Sequence, residues 1–174
     1  MQGFGAVSIA VLALAAAAPA GAQTRSGLVE DGAAVAVFRG ERVVVRPAPD
    51  GRLVLVVVRP VPPQSASPPK PGARLDDDPT ADTAPGTIAL VLGGGPNDTT
   101  LKIESGLDLA FDYRAALFRA PGARPQPAKV CTVLPLLPGY ETWPYPVASV
   151  VVGQVRTRTT NEVVCPPTPH PGKN

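Results

Sequence analysis

Histidine and cysteine are nearly missing from this sequence: one His and two Cys stand in 174 residues. That supply cannot build a His-rich metal centre, a CxxC redox pair or a four-ligand zinc site. The lone His170 sits between prolines near the end of the chain, where nothing would hold it as a general base, and no Gly-x-Ser-x-Gly elbow occurs, so hydrolase triads are excluded. Charge of one sign is also scarce. Sixteen Lys and Arg against fourteen Asp and Glu leave a net charge of +2, without the clustered basic surplus that neutralises phosphates, and nucleic acid is excluded as a partner. Long uninterrupted windows are lacking too, because 23 prolines and 17 glycines approach a quarter of the chain. Such punctuation excludes helical bundles and coiled coils.

What is present begins with an address. Residues 1–22 carry no charged side chain, and Ala6 to Ala18 is a small-apolar run broken only by Ser8 and followed by Ala20-Gly21-Ala22. This is the h-region and A-x-A site of a signal peptide, although no Lys or Arg precedes it. The run is too short and Ala-rich for a transmembrane anchor, which needs about 20 strongly apolar residues. Cleavage after Ala22 leaves one domain's worth of chain in a periplasmic or secreted location. Export allows thiols to persist as cystine, so Cys131 and Cys165 are expected to pair.

Along the exported chain, β-branched segments alternate with turns. Ala33–Phe38, Glu41–Arg46 and Arg52–Arg59 predict a three-stranded meander closing the N-terminal part, residues 23–59, and the two-faced apolar run Leu53–Val58 predicts a central strand. Residues 60–86 hold eight prolines, the run Asp76-Asp77-Asp78 and no aromatic residue, which predicts a disordered Pro-rich loop inside one domain. Residues 87–166 supply the remaining strands: Thr87–Leu92, Leu101–Glu104, a period-2 segment with Leu107, Leu109, Phe111, Tyr113, Ala115 and Leu117 on its core face, Val130–Leu137, and Val147–Thr159. A disordered tail, 167–174, closes the chain. Seven or eight short strands without a helix predict an all-β antiparallel β-sandwich of Greek-key or immunoglobulin-like type.

Four segments carry a resemblance: Leu101-Lys102-Ile103-Glu104-Ser105-Gly106, Leu109-Ala110-Phe111-Asp112-Tyr113-Arg114-Ala115, Val130-Cys131-Thr132-Val133-Leu134-Pro135, and Pro138-Gly139-Tyr140-Glu141-Thr142-Trp143-Pro144-Tyr145-Pro146. Over about 65 residues ending at Cys165 this series resembles uncharacterised small secreted or periplasmic β-sandwich proteins of Gram-negative bacteria. The resemblance implies an envelope location and a β fold, and no activity.

Motifs that evoke chemistry have plainer readings. Gly93-Gly94-Gly95-Pro96-Asn97-Asp98 lacks the Gly-Lys-Ser/Thr of a phosphate loop and reads as a hairpin turn. Asp76 to Asp82 lacks the Gly and Glu of a calcium loop and reads as a solvated charge run. Asp108 and Asp112 stand too far apart for a glycosidase pair. No catalytic residue, metal ligand or cofactor site is expected. Tyr140, Trp143 and Tyr145 form the candidate binding surface for an envelope protein, peptide or glycan, held on a proline-stiffened loop that Pro144 and Pro146 keep out of any sheet. Against that stands the reading of Trp143 as a core plug, which a chain with seven aromatics after residue 22 favours. The function expected is therefore a noncatalytic binding or structural module of the envelope. Its alternatives are a pilin-like subunit exchanging the strand Ala33–Phe38, and an enzyme with an unrecognised site.

Overall fold

A computed structural model describes residues 25–68 and 83–166. The strands are β1 (Gly27–Val29), β2 (Ala34–Phe38), β3 (Glu41–Pro47), β4 (Leu53–Pro60), β5 (Ile88–Gly93), β6 (Thr99–Ser105), β7 (Phe111–Phe118), β8 (Gln126–Ala128), β9 (Pro138–Trp143) and β10 (Ser149–Thr157). They form two antiparallel five-stranded sheets, a front sheet ordered β1-β2-β10-β7-β8 and a back sheet ordered β4-β3-β5-β6-β9. The fold class is the all-β sandwich that the alternating segments predict.

The core lies between the sheets and follows from period 2. Val35 and Val37 of β2, Phe111, Tyr113 and Leu117 of β7, and Val150 and Val152 of β10 face Val43 and Val45 of β3, Leu90 of β5, Leu101 and Ile103 of β6, and Trp143 of β9, all buried in one cluster. Neighbouring residues on these strands turn to the outer faces.

Several elements differ from expectation. The meander of three does not form: β3 and β4 are a hairpin of the back sheet, while β2 belongs to the front sheet between β1 and β10. The crossing is made at Arg39-Gly40, where Gly40 has φ +80 and its N–H donates to Leu92 O at 2.9 Å. Leu53–Val58 is not a central strand, because β4 is the edge of the back sheet. The period-2 strand starts at Phe111 rather than Leu107, with Leu109 exposed in the preceding turn. Val130–Leu137 is not a strand and touches the front sheet through one bridge, Phe111 to Val133. Pro135 removes a donor there and Leu136 turns at φ +56. The short strands β1 and β8, and β9, supply the extra members.

The Pro-rich segment is ordered at both ends. Pro63–Ala66 forms a one-turn 3₁₀ helix packed over β5 and β6, with Ala66 fully buried. On return, Gly86 N–H donates to Gly106 O at 2.7 Å. Gly106 must be glycine, since a Cβ there would stand 2.3 Å from Ala84 O. These two stretches cover Arg42, Lys102 and Glu104 on the outer face of the back sheet. Glu104 is salt-bridged to Arg42 and, at 2.7 Å, to Lys102, and it accepts a hydrogen bond from Thr83 Oγ1 at 2.9 Å. Residues 69–82, the expected signal peptide 1–22 and the expected tail 167–174 lie outside the described residues. Among the described residues no helix is long and apolar enough to cross a membrane.

Candidate functional site

The three aromatic residues singled out in the sequence do not converge. Pro144 and Pro146 do not keep the segment out of the sheet, because both lie beyond the last ladder position and Pro138–Trp143 pairs with β6 from Glu104↔Pro138 to Thr99↔Trp143. Alternation then separates the side chains. Trp143 points into the core and is 8% exposed, as a core plug is. Tyr140 stands opposite Lys102 on the other face, and Tyr145, past the strand, carries the Arg119 guanidinium 4.1 Å from its ring centroid.

Between Tyr140 and Trp143, Glu141 turns toward the core. Its Oε1 accepts from Cys131 N–H at 2.7 Å and from the Tyr113 hydroxyl at 3.4 Å. Burial raises the Glu141 carboxyl above its usual range against the opposing pull of those two donors. Burial, with Glu141 beside it, also pushes the Tyr113 phenol far up. The Cys131–Cys165 disulfide forms as expected. Around it Thr132 N–H donates to Val164 O at 3.0 Å and Thr132 Oγ1 to Asp112 at 2.7 Å, so the segment at Val164 is fastened to the front sheet. Asp112 also holds Arg158 at 2.9 Å, while Asp108 sits in a turn.

The Gly-rich turn has the polarity opposite to that of a phosphate cradle. The Arg39 guanidinium donates to the carbonyls of Gly94, Gly95 and Asp98 and to Thr99 Oγ1, at 2.6–3.3 Å. The turn thus presents acceptors to a cation, where a phosphate loop presents N–H groups. Among the described residues no three His, Cys, Asp or Glu side chains converge as metal ligands.

A different feature has the form of a binding site. The outer face of an antiparallel sheet packed on one side normally carries polar residues. On the front sheet one half of that face is apolar. One row across the strands is Ala36–Val151–Ala116–Pro127, the next is Phe38–Ser149–Phe118, and on the other side lies Ala34–Gly153–Arg114. The small side chains along the middle make a floor. The Glu30 turn forms one wall and Pro121 to Pro125 the other, enclosing two adjoining hollows of about 420 and 400 Å³ that share Glu30, Ala116, Pro125 and Val151. Ligand sites typically occupy roughly 300 to 1,000 Å³. Gly153 is bare of necessity, since a Cβ would meet Ala34 Cβ and Ala33 O at 2.8 Å.

One wall, and the β10 bulge at the groove's end, are held in costly backbone. Glu30 and Gln154, which line the groove, and Asp31 beside it have φ of +51, +52 and +53, a region that non-glycine residues enter at about 1 to 3 kcal/mol each. Strain of this kind concentrates at ligand clamps. Glu30 is exposed and makes no ion pair among the described residues.

Sequence reasoning passed over Glu30, Ala36, Ala116 and Val151. One signal was available. In β7 the face away from the core reads Asp112, Arg114, Ala116, Phe118, changing from charged to apolar halfway along the strand.

Comparison with known proteins finds no matching family model, no matching curated protein and no matching solved structure.

Proposed function

We propose that the protein is a noncatalytic binding module of the cell envelope, secreted or periplasmic, that holds a small apolar ligand in the groove of the front sheet. The observation that carries this reading is the apolar half of the outer face of that sheet, hollowed between the Glu30 turn and Pro121–Pro125. Solvation alone gives no reason for Phe38, Ala36, Val151, Ala116 and Phe118 to adjoin there. The floor of Ala and Val admits a flat body, the two Phe residues border one end, and Glu30 and Arg114, one charge of each sign on the lining, favour a ligand without net charge that can hydrogen-bond. A neutral, flat aromatic compound is the class that fits.

One observation supports the noncatalytic part. The carboxylates with chemical promise are engaged structurally: Asp112 by Arg158 and Thr132, Glu104 by Arg42 and Lys102, and Glu141 by the Cys131 amide and Tyr113. The envelope location rests on the Ala-rich start with its Ala20-Gly21-Ala22 site, on the resemblance of residues 101–165 and on the cystine. Exchange of Ala33–Phe38 between subunits is disfavoured, because β2 is hydrogen-bonded on both sides and almost wholly buried.

The test is a fluorescence titration with N-phenyl-1-naphthylamine, a neutral aromatic amine whose emission rises in apolar surroundings. One equivalent is expected to bind, and Ala116→Trp, which fills the groove from its floor, is expected to abolish binding with the melting temperature retained. No enhancement, or enhancement untouched by Ala116→Trp, overturns the reading.

A further inference from the structure

Among the described residues the back sheet ends in a strand that is apolar, exposed and without a ladder partner on its outer side. There β4 is hydrogen-bonded to β3 alone, with β1 of the front sheet lying near it, and Val54, Leu55, Val56 and Val57 are 50, 36, 49 and 43% exposed. Edge strands of soluble proteins are ordinarily shortened, charged along their length or covered, because their free N–H and C=O groups template pairing with another chain. This one has eight residues and no charge between Arg52 and Arg59. Val54 lies beside Arg46, and Val57 beside Val44, on the face away from the core, while Leu55 lies beside Val45 on the core side. A bulge at Val56 separates the two registers. Both sides of the edge therefore offer apolar surface to an added strand.

The ends of the edge are cationic. Arg52 and Arg59 bracket it and Arg46 flanks it from β3, all three exposed. Arg52 shares only a long exposed ion pair with Asp50 at 3.7 Å, and Arg46 and Arg59 have no ion pair among the described residues. This pattern disfavours a second copy of the chain. Antiparallel pairing that aligns two Leu53–Val58 runs sets Arg52 of one copy opposite Arg59 of the other, and like charges directly opposite are destabilising. A strand with acidic ends finds a cation at each.

We propose that the free edge of β4 is a strand-addition site for an extended segment of a partner protein, apolar over its middle and acidic at both ends. Main-chain pairing along Val54–Arg59 engages about six residues, roughly 20 Å of partner. The Val and Leu side chains supply affinity, and the arginines select the flanks and exclude self-association. The site is on the other sheet from the groove and does not rest on that reading.

Backbone amide spectra of the labelled, disulfide-bonded chain test this during titration with acetyl-Glu-Val-Thr-Val-Thr-Val-Glu-amide and with the same peptide carrying Lys at both ends. Shifts are expected along Val54–Arg59 and the facing residues of β3, with the Lys-flanked peptide at least tenfold weaker. In the double variant Arg52→Glu, Arg59→Glu the preference is expected to reverse. Should that variant not fold, raised salt on the original protein must weaken the acidic peptide selectively. Equal binding of both peptides, shifts away from β4, or no shift at millimolar peptide overturns the proposal. So does a concentration-dependent doubling of mass in light scattering that the acidic peptide does not reverse, which would make a second copy the occupant.

Discussion

Trp143 shows how one residue is placed by its neighbours in sequence. Pairing of β9 with β6 puts it opposite Thr99, whose Oγ1 accepts from the Val147 amide at 2.8 Å. The indole is thereby held between the sheets. Trp143→Ala is expected to cost about 3 to 5 kcal/mol through the cavity it leaves, read by chemical denaturation, and the native emission to be blue and shielded from quencher. Glu141, one step away on the core side of Thr142, gives a pH signature. Its carboxyl titrates higher in the folded than in the unfolded chain, so the folded state binds the extra proton and stability through this group falls as pH rises above the unfolded value of 4.5. Glu141→Gln, which keeps an acceptor for the Cys131 amide, is expected to remove that part of the pH dependence and to gain stability relative to the native chain as pH rises from 4 to 7. An unchanged pH profile in the variant would contradict the burial argument. The sequence made Trp143 legible as a plug because aromatics are scarce. It did not make Glu141 legible, because a polar residue between aromatics reads as surface until the strand register is known.

At the scale of elements, the segment between β4 and β5 changes role most. Read by composition it is a loop that can be removed, and excision of Ser65 to Thr83 would be harmless. In the fold its ends roof the Arg42–Glu104–Lys102 cluster, Ala66 is fully buried and Thr83 donates to Glu104. Excision is therefore expected to lower the melting temperature markedly. Glu104→Ala in the full chain, which removes the carboxylate that the two buried cations share, is expected to destabilise the fold by denaturant titration. The strands themselves were legible where apolar and polar residues alternate, as in β6 and β7, or where β-branched residues run together, as in β3. The short edges β1 and β8 gave no signal, since three residues are too few for a period. Which strand lies beside which was not legible either: β10 joins β2 to β7 across more than a hundred residues, and no local pattern encodes that. The same ignorance of neighbours made β4 read as central when it is an edge.

For the molecule as a whole, two five-stranded sheets and one cystine account for a chain rich in turn residues. Joint replacement of Cys131 and Cys165 by Ser opens a loop with a sequence separation of 34 and is expected to lower stability by about 3 to 4 kcal/mol in the chain-entropy account, measured against the oxidised protein. On the two proposals the sheets divide the surface between two kinds of recognition, a small-molecule groove on the outer face of one and strand addition at the edge of the other. The central claim concerns the first. Its most direct test is an intermolecular NOE spectrum of N-phenyl-1-naphthylamine on protein labelled at Ala and Val methyls. The account predicts contacts from the probe's ring protons to Ala36, Ala116 and Val151. Contacts confined to Val54, Val56 and Val57 of β4, or no contacts at a saturating probe, would contradict it.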